Sequence, residues 1–221
     1  MKRLPIFWSF RRCPYAMRAR LAVKSAGLQV ELREILLRDK PGAFLAVSET
    51  ATVPVLERTD GQVIEESRDI MFWALQQSGD PEQWLTGWRQ DQAGLQAFLD
   101  QLDGPFKTHL DRYKYSARFA EDKADAAELA SYHRAEGAAF LKQIDTRLNK
   151  NPFLNGSKAG LADYAALPFV RQFRIADITW FDDQDWPAVY LWLQAFLASQ
   201  RFAAIMHKYT PWKPGDAPVV F

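Results

Sequence analysis

The side chain with the most chemistry to offer is the chain's single cysteine, in the run Arg11-Arg12-Cys13-Pro14-Tyr15-Ala16. Pro14 suits the first position of a helix, where a missing N–H costs nothing, so Cys13 falls at or just before a helix N-terminus. There a sulfur meets unpaired backbone N–H groups and the positive end of the helix dipole. Both favour thiolate over thiol, and Arg11 and Arg12 add positive charge. Ala16 stands where a second cysteine would complete a dithiol, so the chemistry is monothiol and must recruit its second sulfur from elsewhere. A lone cysteine also excludes an intrachain disulfide. Inert buried filler is the plainer use of cysteine, and the helix-start position argues against it here. Other chemistries lack their signatures. His109, His133 and His207 are scattered without a companion thiol, no His-Glu-x-x-His spacing occurs, and no metal site is expected. Phosphate-binding glycine loops and a Gly-x-Ser-x-Gly elbow are missing too.

The elements that must hold Cys13 can be read from either side of it. Leu4–Phe10 is short, aromatic and β-prone, and Tyr15–Ala26 carries Met17, Leu21 and Ala22 on one helical face, with Arg18 and Lys24 elsewhere and Gly27 as the C-terminal cap. Leu28–Leu37 opens with strand-like alternation, which gives β-α-β with a parallel pairing. A loop at Asp39-Lys40-Pro41-Gly42 and a short helix follow. Val53–Glu57 and Val63–Glu65, joined through Asp60-Gly61, then read as a hairpin, and Ser67 heads an amphipathic helix that ends near Ser78-Gly79. Beyond Pro81 the pattern is helical: Trp88–Tyr115, Ala124–Leu148, Leu161–Ile175 and Trp186–Ser199. The boundary is expected at residues 79–87, between a 1–79 domain and an all-helical 88–221 domain.

The 221 residues are enough for two small cores. With 48% hydrophobic and 25% charged residues, disorder and fibrous repeats are disfavoured. Lys and Arg number 28 against 27 Asp and Glu, a net charge of +1, which is a poor match to nucleic acid. No apolar run approaches the roughly 20 residues that cross a bilayer, and Met1–Phe10 is too short for a secretory signal, so a cytoplasmic location without membrane partners is expected.

The β-α-β-β-β-α order with Cys13-Pro14-Tyr15-Ala16 at its first helix, Val53-Pro54 before the hairpin and Glu66-Ser67 at the third helix, followed by a helical half, resembles cytosolic glutathione transferases over essentially the whole chain. It is most similar to the cysteine-type, omega-like classes and related bacterial enzymes. The resemblance implies a thioredoxin-like domain with a four-stranded mixed sheet, a C-terminal helical bundle, glutathione as co-substrate and a homodimer. Leu154–Asp163 is similar to the family segment that carries a Ser/Thr-x-x-Asp capping box; Gly160 replaces the hydroxyl, which casts doubt on local rigidity at a cost of a few tenths of a kcal/mol.

Glutathione carries two carboxylates and an α-ammonium. Ser67 at a helix start suits the γ-glutamyl carboxylate, and Glu66 suits the ammonium. The resemblance further implies that Val53, before a cis-Pro54, presents its backbone to the cysteinyl portion, and that Lys40 lies near the glycyl carboxylate. Plainer roles are an ordinary cap for Ser67, an edge-strand proline for Pro54 and a solvated loop charge for Lys40. Ser9 and Tyr15 are alternative activating hydroxyls with ordinary turn and packing roles beside them. Phe106, His109 and Tyr113 share a helical face and, with Tyr15 and Trp212, are candidates for a second-substrate pocket between the domains; such a face more often belongs to a core. Three functions follow: glutathione-dependent thiol transfer or disulfide reduction through Cys13, conjugation of glutathione to apolar electrophiles, and a non-catalytic interaction module of the same fold.

Overall fold

The computed structural model describes residues 3–221; Met1 and Lys2, which open the segment read above as too short for a leader, lie outside the described residues. The chain forms two compact units, residues 3–83 together with Ser199–Phe221, and Trp84–Ala198. The end of the chain differs from expectation, because Ser199–Phe221 returns to the first unit instead of staying with the helices. Backbone pairing explains the return: Val30 and Phe221 exchange N–H···O bonds of 3.2 and 2.9 Å, and the Leu32 N–H donates to Val219 O at 2.8 Å.

The first unit holds a mixed sheet in the order β2-β1-β3-β4. Strand β1 (Ile6–Ser9) is buried on both faces, and β2 (Glu31–Glu34) alternates buried and half-buried residues, as a strand with one covered face does. They pair in parallel with Ile6 opposite Glu31; β3 (Val55–Glu57) pairs antiparallel with β1, and β4 (Val63–Ile64) with β3. Between β1 and β2 runs helix α1 (Pro14–Ser25), followed by Gly27 at φ +63°, where a side chain would be strained. The short α2 (Gly42–Leu45), α3 (Ser67–Gln77) and the late α11 (Gln200–Ile205) complete the unit.

Helix α1 packs against both α3 and α11, so little of it faces water. Arg20 on α1 is fully buried and forms an ion pair with Glu34, itself 7% exposed. The guanidinium also donates to Ser9 Oγ (2.8 Å) and Ile205 O (3.0 Å), and the other Glu34 oxygen accepts the Arg11 N–H at 2.7 Å. Burial pulls the Arg20 guanidinium below its ordinary range while Glu34 opposes the shift.

In the second unit the expected Trp88–Tyr115 helix is interrupted: α4 (Thr86–Gln90), α5 (Gln92–Gln101) and α6 (Lys107–Lys114) are separated at Asp91 and at a π-helical turn, Leu102–Phe106. Asp91 caps α5 through a bond from the Gly94 N–H at 2.9 Å. Pro105 lacks an N–H and would clash with the carbonyl four residues earlier, and the wider turn accommodates it. Helices α7 (Lys123–Leu148), α8 (Leu161–Ala176), α9 (Ile178–Asp182) and α10 (Pro187–Leu197) follow. Gly137 lets α7 approach α8, since a Cβ there would stand 2.4 Å from the Phe173 ring.

The segment in doubt at Gly160 is anchored by other means. Asp163 is fully buried and accepts from the N–H groups of Leu154 and Gly160 and from Trp192 Nε1, each at 3.0 Å. Burial pushes its carboxyl up to about 6 against those donors. A Cβ at Gly160 would lie 3.1 Å from the Trp84 carbonyl, which also accepts the Leu161 N–H, so glycine permits this approach.

Glu34→Ala is expected to destabilise the protein by about 3–5 kcal/mol in urea unfolding, because it strands a buried guanidinium; a loss below about 1 kcal/mol would show that water already reaches Arg20.

Candidate functional site

Cys13 occupies the N-cap of α1 with extended backbone, and Pro14 follows as the first helical residue. Its N–H closes a turn onto Phe10 O (3.0 Å), and its carbonyl accepts the Met17 N–H at 2.9 Å. These bonds hold the sulfur just outside the first turn. The half-buried Sγ packs against a cluster that includes Trp8, Phe44, Val53 and Val55, and donates to Val53 O at 3.6 Å. Val53 is therefore brought directly to Cys13, and its bond to Pro54 is cis, as the resemblance implied. Ala16 is fully buried, so α1 offers no second polar group at that position.

The start of α3 forms the other part of the site. Glu66 precedes the helix, exposed and extended, and Ser67 is its first residue, buried at 2%. Ser67 Oγ accepts two bonds from Arg18, from Nε at 3.0 Å and from Nη2 at 2.8 Å. Its own O–H remains to donate. The Arg18 guanidinium is buried at 1% exposure, and its charge adds to the positive potential of the α3 N-terminus. Sequence reasoning placed Arg18 off the apolar face of its helix. The structure buries it, because α1 is covered on more than one side. A legible signal existed: Arg18 and Arg20 punctuate a helix otherwise dominated by small and apolar residues, with no acid within it.

Glu65 was also missed. It accepts from Ser48 Oγ (2.5 Å) and Thr50 Oγ1 (3.1 Å), and those hydrogen bonds, Ser48 first, draw its carboxyl below the usual range. This ties down the loop that leads into Val53. Lys40 lies half-buried just ahead of Pro41, in the segment entering α2, whose Phe44 packs on Trp8 with ring centroids 5.6 Å apart.

The weaker candidates separate clearly. Tyr15 lays its ring over the Arg18 guanidinium at 5.0 Å, and Ser9 is fully buried with Arg20 Nε on its hydroxyl, so both have structural partners. Trp212 stands edge-on to Trp8 at 5.0 Å, below the Arg33 guanidinium at 4.4 Å, and its N–H donates to Glu34 O at 2.8 Å; it is a wall of the first unit. In the second unit Phe106 is a core residue, packed on Phe140 and Phe173, and is not available to a pocket. Tyr113 lies tilted against Phe173 with ring centroids 5.0 Å apart, and burial raises the pKa of its hydroxyl, with Arg134 opposing. His109 meets His133 on α7 with Nδ1 atoms 2.8 Å apart, which ties α6 to α7. No three His, Cys, Asp or Glu side chains gather to hold a metal, and no helix is long and apolar enough to cross a membrane, among the described residues.

Residues 7–82 match the model of the glutathione S-transferase N-terminal domain, and residues 96–200 that of the glutathione S-transferase C-terminal domain. The chain is 26% identical to pig (Sus scrofa) glutathione S-transferase omega-1, over 90% of this chain and 78% of that protein. It is 23% identical to the probable cytosolic glutathione S-transferase DHAR1 of rice (Oryza sativa subsp. japonica), over 91% and 89%. Among solved structures, a glutathione transferase family member from Pseudomonas fluorescens with two glutathione bound superposes with a TM-score of 0.73 at 20% identity, covering 92% of each chain.

The His109–His133 contact gives a pH dependence of defined sign. Burial, then His109 and Arg112, hold the His133 imidazole below its ordinary pKa, with Glu136 opposing. The folded state thus binds fewer protons than the unfolded chain, and the contribution present above about pH 6.5 is lost as pH falls below it. Asp163, with its raised pKa, works in the other direction, so the comparison must be made against a variant. Between pH 7 and 5.5 the urea midpoint should drop further in the wild type than in His133→Phe; equal drops would show that this histidine does not carry the effect.

Proposed function

The chain belongs to the glutathione S-transferase family, and from that premise we propose that it is a glutathione-dependent thiol transferase working through Cys13 alone. The observation that carries this reading is the sulfur at the α1 N-cap, 3.6 Å from the Val53 carbonyl, with alanine at the position where a resolving cysteine would sit. A thiol donates to that carbonyl and a thiolate cannot. With Cys13 ionised, both lone pairs of Val53 O are open to the N–H of a bound peptide, which matches glutathione's cysteinyl portion. The γ-glutamyl carboxylate is assigned to the Ser67 hydroxyl and the α3 N-terminus, backed by Arg18, the ammonium to Glu66, and the glycyl carboxylate to Lys40.

In the proposed cycle the Cys13 thiolate attacks the glutathionyl sulfur of a mixed disulfide. The substrate thiolate leaves and takes a proton, and a Cys13–glutathione disulfide remains. A second glutathione, as thiolate, attacks its own kind in that disulfide; oxidised glutathione departs and the Cys13 thiolate is restored. Two glutathione thiols are thus consumed in total when the starting substrate is a simple disulfide. The acceptor is a small disulfide or glutathionylated compound, and the expected setting is a cytoplasmic homodimer.

Reduction of hydroxyethyl disulfide by glutathione should fall at least a hundredfold in Cys13→Ala, and retention of activity in that variant would sink the cysteine mechanism. Ser67→Ala and Arg18→Met should raise KM for glutathione about tenfold with kcat largely kept, the effect of losing one charge-assisted hydrogen bond in binding; an unchanged KM would move the γ-glutamyl site elsewhere.

A further inference from the structure

The turn that presents Cys13 is fastened from behind. Ser9, Arg11 and Cys13 alternate along the segment leaving β1, and each backbone or side chain has a defined anchor. The Cys13 N–H is held by Phe10 O, the Arg11 N–H by a Glu34 oxygen at 2.7 Å, and Ser9 Oγ by Arg20 Nε at 2.8 Å. Arg20 and Glu34 are in turn paired with each other. The same two arginines reach the end of α11: Arg20 Nη1 donates to Ile205 O at 3.0 Å and Arg11 Nη1 to Met206 O at 3.2 Å. Glu34 also receives the Trp212 N–H on its backbone carbonyl, and Trp212 packs in the cluster that holds Cys13.

An ion pair needed only for stability could be replaced by apolar side chains of similar volume at little cost. This pair does something apolar side chains cannot. Only an acceptor at position 34 satisfies the Arg11 N–H, two residues before the sulfur. We propose that Glu34 is a positioning residue for Cys13, its side-chain oxygen holding the Arg11 amide so that the sulfur stays at the N-cap of α1, where the helix end favours its ionised form, while Arg20 balances its charge in the interior. This deepens the thiol-transfer reading and rests on Cys13 as the nucleophile. The C-terminal segment becomes part of the same device, because two of its carbonyls and the Trp212 N–H close the network.

Alkylation by iodoacetamide reports on Cys13 alone, the chain's single cysteine. Two neutral double variants isolate the acceptor: Arg20→Met with Glu34→Gln keeps an oxygen for the Arg11 N–H, and Arg20→Met with Glu34→Leu removes it. At pH 7 the Gln form should alkylate within about threefold of wild type. The Leu form should be at least tenfold slower, with its pH midpoint of alkylation moved upward by about one unit. Near-UV circular dichroism checks that both are folded. Glu34→Asp keeps both charges but shortens the reach, so it tests the same point in a milder variant; a slowing of about threefold is expected. Should the Leu form fold and alkylate like the Gln form, with the same pH midpoint, the proposal is overturned; should the Leu form not fold, wild-type alkylation in Glu34→Asp overturns it. Because alkylation requires no turnover, these outcomes are independent of whether Cys13→Ala retains disulfide reduction, which tests the function itself.

Discussion

A charge pair sealed inside the first unit is the constraint around which its other parts are arranged. Arg20 on α1 and Glu34 on β2 meet in the interior, where each buried charge needs the other. Desolvating either alone would cost several kcal/mol, so the pair selects one register of helix against sheet. The remaining donors of Arg20 and the remaining acceptor of Glu34 are satisfied by Ser9, Ile205 and Arg11. One electrostatic requirement thereby ties the end of β1, the Cys13 turn and the last helix to a single arrangement.

A second buried arginine performs a different task. Arg18 lies one and a half turns beyond Cys13 on the same helix and directs both donors to Ser67, so the helix that presents the sulfur also charges the start of α3. Glu65 braces the loop before Val53 from the β4–α3 connection. Glu66 and Ser67, at the start of α3, are thus neighbours in sequence to one that faces inward.

The helical unit shows the limits of periodicity. Its long apolar patterns correspond to α7, α8 and α10 within a few residues, because sustained amphipathic spacing has few alternatives. The pattern over 88–115 could not register the Asp91 break or the π turn at Pro105, since both preserve an apolar face while changing the backbone. The shared face of Phe106, His109 and Tyr113 was visible in the spacing. That Phe106 is core, while His109 meets a histidine 24 residues away, depends on which helix lies opposite.

By itself the sequence determined the β-α-β-β-β-α order, the helical second half, a sulfur at a helix start without a partner thiol, and a serine heading the third helix. Each is a local property: a proline at a first helical position, an alternation, a cap, an absent cysteine. Tertiary structure alone decided that Arg18 and Arg20 are inside, that Glu65 braces the loop before Val53, that Trp212 and the chain end return to β2, and that Gly160 lies close against the Trp84 backbone. These rest on contacts between residues distant along the chain, and a long polar side chain can reach water or a buried partner with equal ease until the neighbouring elements are in place.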